Sequence, residues 1–335
     1  PGPGADDVDV DVDPGTPALN LRLTIDAGLQ LTVEQEVLAA WIADRAASVS
    51  AVVLDPTTGA IYASASYPTY DGNAYAQVAA EDPSRFIDPV VSAVYEPGSV
   101  MKMFTAVAAL ERGVVGLQTP IRDTPSLSLD GGRTEVRNAD RKGMGTIPFE
   151  DVIAYSRNVG TARVARLLGP SVRDAAAALY DTWTSFGIGS PTGIDVAGEL
   201  PGLVRDPRIR AWRAIDLANA AFGQGVAVTL IQLATAYAAM VNGGTLVTPH
   251  VVAAIGDQAV LPAPRATGLV SPTLSKQLVG LLSHVVETVP FYRARTLVPG
   301  YVVGGKTGTA QIWDPTLENG AGDWSPNAYN YTFVG

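Results

Sequence analysis

The sequence predicts an α+β fold in which strands near both ends of the chain frame a long, mostly helical middle. Three observations carry this. Short apolar runs separated by turn residues come first, between residues 20 and 66. Roughly 130 residues dominated by helix-period patterns follow, from Ser99 onward. Strand-like runs then return between Pro249 and Trp313. Strands, then helices, then strands in one chain indicate an α+β domain whose sheet is interrupted by a helical insertion, about residues 99–245. No internal repeat is visible. A length of 335 residues with 47% apolar content supports a sizeable core, and 34 Gly with 24 Pro make a loop-rich chain short of disorder.

Taken in order, residues 1–17 alternate Asp and Val from Asp7 to Asp13 and read as an acidic linker or lead-in strand, so the folded domain is expected over 18–335. Leu21 to Ile25 reads as a strand. Asp26 is an N-cap candidate for a helix to about Arg45, with Leu29, Val33, Val37, Trp41 and Ile42 on one stripe. Residues 51–55 and 60–63 flank Pro56-Thr57-Thr58-Gly59 and predict a hairpin. Tyr67 to Pro97 reads as loop. A helix is predicted from Ser99 to Arg112, stopped by Gly113. Further helices are predicted over 149–168, 172–186, 215–222, 230–241 and 271–288, a short strand over 249–255, and strand-like runs at 301–305 and 309–313.

Charge and residue usage exclude whole classes of function. Twenty-three basic against 33 acidic residues leave −10, which argues against nucleic acid as a partner because phosphate binding needs clustered cations. Without Cys there is no disulfide, thiolate catalysis or Cys-ligated metal. The two histidines, His250 and His284, lie outside any HxxxH or HExxH pattern, so no metal and no cofactor is expected. No apolar run reaches the ~18 residues of a membrane helix. The opening Pro1-Gly2-Pro3-Gly4 reads as an internal start, a piece of something longer. Only four of the cations are lysines: Lys102, Lys142, Lys276 and Lys306. Lys, unlike Arg, becomes neutral when buried and then acts as a base.

Two of those lysines stand in chemical motifs. In Glu96-Pro97-Gly98-Ser99-Val100-Met101-Lys102, the Pro-Gly break puts Ser99 at a helix start and Lys102 one turn deeper on the same face. Met101, Met103, Phe104, Val107 and Leu110 leave that helix apolar nearly all round, so it should be buried, and a lone Lys there should lose its proton and accept that of a serine. The plain alternative is a capping Ser with a snorkelling Lys. Ser156-Arg157-Asn158 is the second motif. Taken alone it reads better as helix capping, and Ser325-Pro326-Asn327 repeats the pattern near the C-terminus. The third is Gly305-Lys306-Thr307-Gly308-Thr309, where small residues on a strand admit a substrate backbone, and a cation with two hydroxyls can take a carboxylate. Gly300-xxxx-Gly305-Lys306-Thr307 also matches a phosphate loop, but the strand-like run to Pro315 contradicts the helix such a loop needs.

In this order Ser-x-x-Lys, Ser-x-Asn and Lys-Thr-Gly resemble the signature of penicillin-binding proteins and serine β-lactamases. Leu23-Thr24-Ile25-Asp26, Asp55-Pro56, Tyr95-Glu96-Pro97-Gly98-Ser99, Phe222-Gly223-Gln224-Gly225, Asn242-Gly243-Gly244 and Pro299-Gly300-Tyr301 sharpen the resemblance to class B, monofunctional penicillin-binding proteins of septal or elongation peptidoglycan synthesis, from about residue 20 to the end. The resemblance implies a penicillin-binding/serine β-lactamase-like antiparallel sheet flanked and interrupted by a helical subdomain, and a D,D-transpeptidase acting through a Ser99 acyl-enzyme with release of D-Ala. Lys102 would be the base and Ser156 a proton shuttle. Asn158, Lys306, Thr307, Gly308 and Thr309 would bind substrate, and the backbone N–H groups of Ser99 and Thr309 would form the oxyanion hole. Implied partners are peptidoglycan stem peptides, β-lactam antibiotics and division or elongation membrane proteins, at the extracytoplasmic face of the bacterial membrane. Family members carry a membrane anchor and an N-terminal non-catalytic module, both of which are expected to lie outside this stretch of sequence. The chain also stops at Tyr331-Thr332-Phe333-Val334-Gly335, where the family enters its next strand, so the last strands and a C-terminal helix are expected to be absent.

The rival readings are a serine β-lactamase, which needs a deacylating base that only Glu199 could supply here, and a β-lactam sensor domain in which acylation is itself the signal. A Ser-His-Asp hydrolase is disfavoured because no Gly-x-Ser-x-Gly elbow exists and both histidines read as structural.

Overall fold

The computed structural model describes residues 19–320 and 322–335, so the expectation for residues 1–17 lies outside the described residues. Strand β1 (Leu21–Leu23) leads into helix α1 (Ala27–Asp44). Asp26 caps α1 by accepting from the Leu29 amide at 2.8 Å. Of the stripe predicted on α1 only Val37 is buried; Ile42 is 63% exposed, because the helix rests on the hairpin along one narrow seam, with Trp41 stacked on Tyr67. That hairpin is β2 (Val49–Leu54) and β3 (Ile61–Tyr67), antiparallel, turned where the Asp55 carboxylate accepts from the amides of Thr57 and Thr58.

The stretch 67–97, read as loop, contains two short helices, α2 (Tyr75–Glu81) and α3 (Pro89–Ser92), and 3₁₀ turns. Asp88 caps α3 by accepting from the Val90 amide. A 3₁₀ turn, Gly98–Met101, then feeds α4 (Lys102–Glu111), so the α-helix begins at Lys102 rather than at Ser99.

The block after α4 is less helical than its sequence suggested. Four short strands occur there: β4 (Pro120–Asp123), β5 (Ser126–Leu129), β6 (Thr134–Arg137) and β7 (Gly145–Pro148), paired β4 with β7 and β5 with β6. At four residues each they are too short to carry a readable period-2 pattern. The helix expected over 149–168 is broken into α5 (Phe149–Ala154) and α6 (Asn158–Ala165). Helices α7 (Val172–Ser185), α8 (Ala214–Ala221) and α9 (Leu230–Val241) follow the prediction closely.

Strand β8 (Val252–Ile255) returns to pair with β1 and with β9 (Gln258–Ala259). Helices α10 (Pro272–Thr288) and α11 (Pro290–Thr296) follow. Residues 301–305 are not a strand; β10 runs Lys306–Asp314, then α12 (Leu317–Gly320) turns the chain into β11 (Asp323–Val334), antiparallel to β10. Among the described residues the named strands all pair antiparallel, but they are divided into five small sheets rather than one. Strand β2 and the end of β11 face each other across a cavity of about 510 Å³ lined by Val52, Leu54, Tyr237 and Phe333.

The core centres on α4. Every residue from Lys102 to Ala109 is buried, packed by α5, α7, α9 and α10 with Trp183, Phe149 and Phe186 filling the largest spaces. No helix among the described residues is long and apolar enough to cross a membrane.

Candidate active site

Gly98 turns the chain into α4 with φ +63°, a conformation that favours glycine. A β carbon on Gly98 would fall 2.6 Å from the Thr309 carbonyl oxygen and 2.9 Å from the Thr309 nitrogen. Opposite it, a β carbon on Gly308 would fall 2.1 Å from the Pro97 carbonyl oxygen and 3.4 Å from the Ser99 nitrogen. Gly223 backs the same turn, its own missing β carbon 2.0 Å from the Gly98 oxygen. Three glycines thus let three backbone segments touch, which brings the Ser99 and Thr309 nitrogens to one small region.

The break between α5 and α6 places the second motif. The Ser156 amide donates to the Ile153 carbonyl (3.1 Å) and the Arg157 amide to the Val152 carbonyl (2.8 Å), the paired bonds of a Schellman end to α5. Its left-handed position is filled by Ser156, φ +55°, where glycine is usual. A serine there costs on the order of 1–2 kcal/mol. In return, the carbonyl and the hydroxyl of Ser156 both face Lys102. Asn158 opens α6, donates to the Arg137 carbonyl at 3.0 Å and turns its Oδ1 to the same lysine.

Lys102 is fully buried, and its Nζ has four neighbours: Ser99 Oγ at 2.9 Å, Ser156 O at 2.6 Å, Ser156 Oγ at 2.9 Å and Asn158 Oδ1 at 2.8 Å. The carbonyl and amide oxygens are pure acceptors and take two N–H bonds. A neutral amine then keeps a lone pair for the hydroxyl of Ser99 or Ser156. Electrostatics agree: burial first, then the positive charges of Lys306 and Arg157, push the amine well below its ordinary 10.5, with Asp123 opposing.

Lys306 opens β10, fully buried, and donates to Ser156 Oγ (3.1 Å) and the Thr307 carbonyl (2.9 Å). Burial lowers its amine to about 7. The Thr307 hydroxyl is paired with the Tyr292 hydroxyl at 2.6 Å, whereas Thr309 is exposed. The strand following Lys306, where a phosphate loop has a helix, removes the nucleotide alternative.

The structure therefore gathers Ser99, Lys102, Ser156, Asn158 and Lys306 around two amines, with Gly308 and Thr309 alongside. Sequence reasoning missed what supports them. Arg157, read only as a spacer, is buried and pairs with Asp123 (2.8 Å) and Asp140 (3.0 Å). Asn138 donates to the Asp123 carboxylate (3.0 Å) and accepts from the Val159 amide (3.1 Å), capping α6 from outside. Removing one partner of such a buried pair typically costs ~3–5 kcal/mol. No local signal could reveal partners that lie 17 and 34 residues away in sequence. Tyr292 was missed for the same reason.

The other residues weighed earlier have structural employment. Glu199 accepts from the Thr192 amide (2.5 Å) and hydroxyl (2.6 Å) and the Gly193 amide (3.0 Å). His284 pairs with Asp151 at 2.8 Å, and buried His250 contacts the Thr248 carbonyl. Ser325-Pro326-Asn327 lies in β11, where Ser325 Oγ accepts from the Ala328 amide. Among the described residues no group of three or more His, Asp or Glu could hold a metal ion.

Comparison with known proteins gives the family of the chain. Residues 49–335 match the family model described as the penicillin binding protein transpeptidase domain. The chain is 33% identical over 322 residues to penicillin-binding protein PbpB of Mycobacterium tuberculosis, covering 93% of this chain and 45% of that protein. It is 30% identical over 301 residues to peptidoglycan D,D-transpeptidase FtsI of Escherichia coli K12, covering 89% and 47%. Thus it spans about half the length of the curated relatives it matches. Among solved structures, penicillin-binding protein 3 of M. tuberculosis complexed with aztreonam superposes with a TM-score of 0.82 at 32% identity, covering 94% of this chain and 69% of that one. The same protein complexed with ampicillin matches equally well, covering 68% of that chain.

Proposed function

The chain belongs to the penicillin-binding protein transpeptidase domain family, and from that membership we propose that it is a peptidoglycan D,D-transpeptidase working through a Ser99 acyl-enzyme. The observation that carries the proposal is the buried Lys102 amine, 2.9 Å from Ser99 Oγ and held by two acceptor-only oxygens.

In this reading Ser99 Oγ attacks the carbonyl of the penultimate D-Ala in a stem peptide while its proton passes to neutral Lys102 Nζ. The oxyanion is received by the Ser99 and Thr309 amides, which the glycine contacts bring together. The C–N bond then breaks. Ser156, in reach of both lysines, passes a proton to the departing D-Ala amine. Lys306 and Thr309 take the terminal carboxylate, Thr307 shapes that end of the strand, and Asn158 orients the peptide. Attack on the acyl-Ser99 ester by the amine of a second stem peptide completes the cross-link and restores the serine. A β-lactam enters the same path: its ring amide is opened by Ser99, and the acyl group stays in place.

Residues 18–335 would form this transpeptidase domain, with about 99–245 as the inserted subdomain that carries Lys102 and the Ser156 loop. Its place of action would be the extracytoplasmic face of the bacterial membrane, with stem peptides as substrates and division or elongation membrane proteins as partners.

Fluorescent-penicillin labelling tests the proposal directly. The unmodified chain should form a stable adduct and Ser99→Ala none. Equal labelling of the two would remove Ser99 as the nucleophile.

A further inference from the structure

We propose that Arg157 is a positioning residue that holds Ser156 in its left-handed conformation and so keeps the Lys102 amine within reach of Ser99. The inference rests on the transpeptidase reading of that site and adds to it a control residue that the three-motif pattern treats as interchangeable.

Ser156 is a non-glycine residue at φ +55°, and such a conformation persists only where its surroundings over-determine it. The preceding side is fixed by the Schellman bonds that end α5, one of which uses the Arg157 amide itself. The following side is α6, and Arg157 is the last residue before that helix begins. It cannot cap α6 with its side chain; Asn138 does that instead, accepting from the Val159 amide. The Arg157 side chain runs to the end of β4 and the loop between β6 and β7. Its Nε donates to Asp123 (2.8 Å), its two terminal nitrogens donate to the two oxygens of Asp140 (3.0 and 3.1 Å), and one of them also reaches the Lys142 carbonyl. A guanidinium fork gripped on both sides fixes its own Cα, and with it the φ and ψ of Ser156 next door.

The same clamp places a positive charge near the Lys102 amine. The charged groups facing that amine are Lys306 and Arg157, which oppose its protonation, and Asp123, which favours it; Asp140 neutralises Arg157 from the outer side. Loss of Arg157 therefore has two separable consequences. Ser156 is freed to leave the left-handed region, and the Lys102 amine holds its proton to higher pH. A residue that served only to support the fold would lower the melting temperature and leave both untouched in the folded molecules.

The experiment measures the second-order rate of Ser99 acylation by a fluorescent penicillin across pH, together with the melting temperature, for the unmodified chain, Arg157→Lys, Arg157→Met and Asp140→Asn. Arg157→Lys keeps the charge but cannot grip both carboxylates, so the acylation rate should fall at least tenfold at every pH with the midpoint of the profile unchanged. Arg157→Met should lose as much and shift the midpoint upward. Asp140→Asn alters only a half-exposed partner and should fold normally with a smaller loss, carrying the test if the Met variant does not fold. If Arg157→Lys and Asp140→Asn acylate at the unmodified rate, whatever happens to melting temperature, Arg157 is a structural residue only and the inference is overturned. Failure of the unmodified chain to acylate would instead remove the transpeptidase reading on which it rests.

Discussion

Lys102 and Lys306 converge on one oxygen: their amines lie 2.9 and 3.1 Å from Ser156 Oγ. Both side chains are fully buried, so water cannot screen them. Two ammonium groups so close in a dry site repel strongly. Burial heads the causes that lower each amine, and the charge of Lys306 adds to it at Lys102. Ser156 is thereby a hydroxyl bridge between two amines that need not both be protonated, which is what moving one proton from nucleophile to leaving group requires.

Replacing Lys102 by Arg keeps a cation of similar length but gives up deprotonation. Acylation by penicillin should fall ~10²–10⁴-fold, the usual cost of a lost general base, while circular dichroism reports an intact fold. For the unmodified chain, acylation should rise with pH as the amine loses its proton and level off well below the ordinary 10.5. Near-normal acylation by the Arg variant would mean that Lys102 acts through its charge alone.

Stability should carry the signature of the buried lysines. Lys306 titrates at about 7 when folded and near 10.5 when unfolded, so between those values the unfolded chain binds more protons and stability rises with pH. Urea unfolding between about pH 7 and about pH 9 should show that positive slope, reduced in Lys306→Met. An unchanged slope in the variant would show that Lys306 is not the titrating group.

Gly308→Ala puts a methyl group where the Pro97 carbonyl oxygen already lies, at 2.1 Å. Backbone cannot rotate away as a side chain can, so strand and turn must separate. Overpacking of this kind costs ~1–3 kcal/mol. Acylation should suffer far more than stability, because the displaced atoms include the Ser99 and Thr309 amides. A variant with full acylation rate would place the oxyanion donors elsewhere.

Once formed, the acyl-enzyme should persist for minutes or longer, with no multiple turnover of nitrocefin. The one glutamate with a claim to act as deacylating base, Glu199, spends its carboxylate on Thr192 and Gly193. Sustained hydrolysis that vanishes in Glu199→Gln would turn the reading to a β-lactamase.

The sequence by itself was enough for the longer helices α1, α7, α8, α9 and α10, the buried α4, the hairpin turned at Asp55, and the three motifs with their five central side chains. Each of these follows from residues close together in the chain: a capping Asp26, a Pro-Gly break before Ser99, an apolar helix around one lysine. What tertiary structure decided lies between distant segments. The left-handed Ser156, the grip of Asp123 and Asp140 on Arg157, the Tyr292 hydroxyl on Thr307 and the contact of Gly308 with Pro97 depend on which segments meet. So do the four short strands between Pro120 and Pro148, each held by a partner strand rather than by its own pattern. Local propensity acts over a few residues, whereas close approach, burial and ion pairing are set by the packed fold; the identity of the chemical groups is therefore legible in one dimension and their protonation and aim only in three.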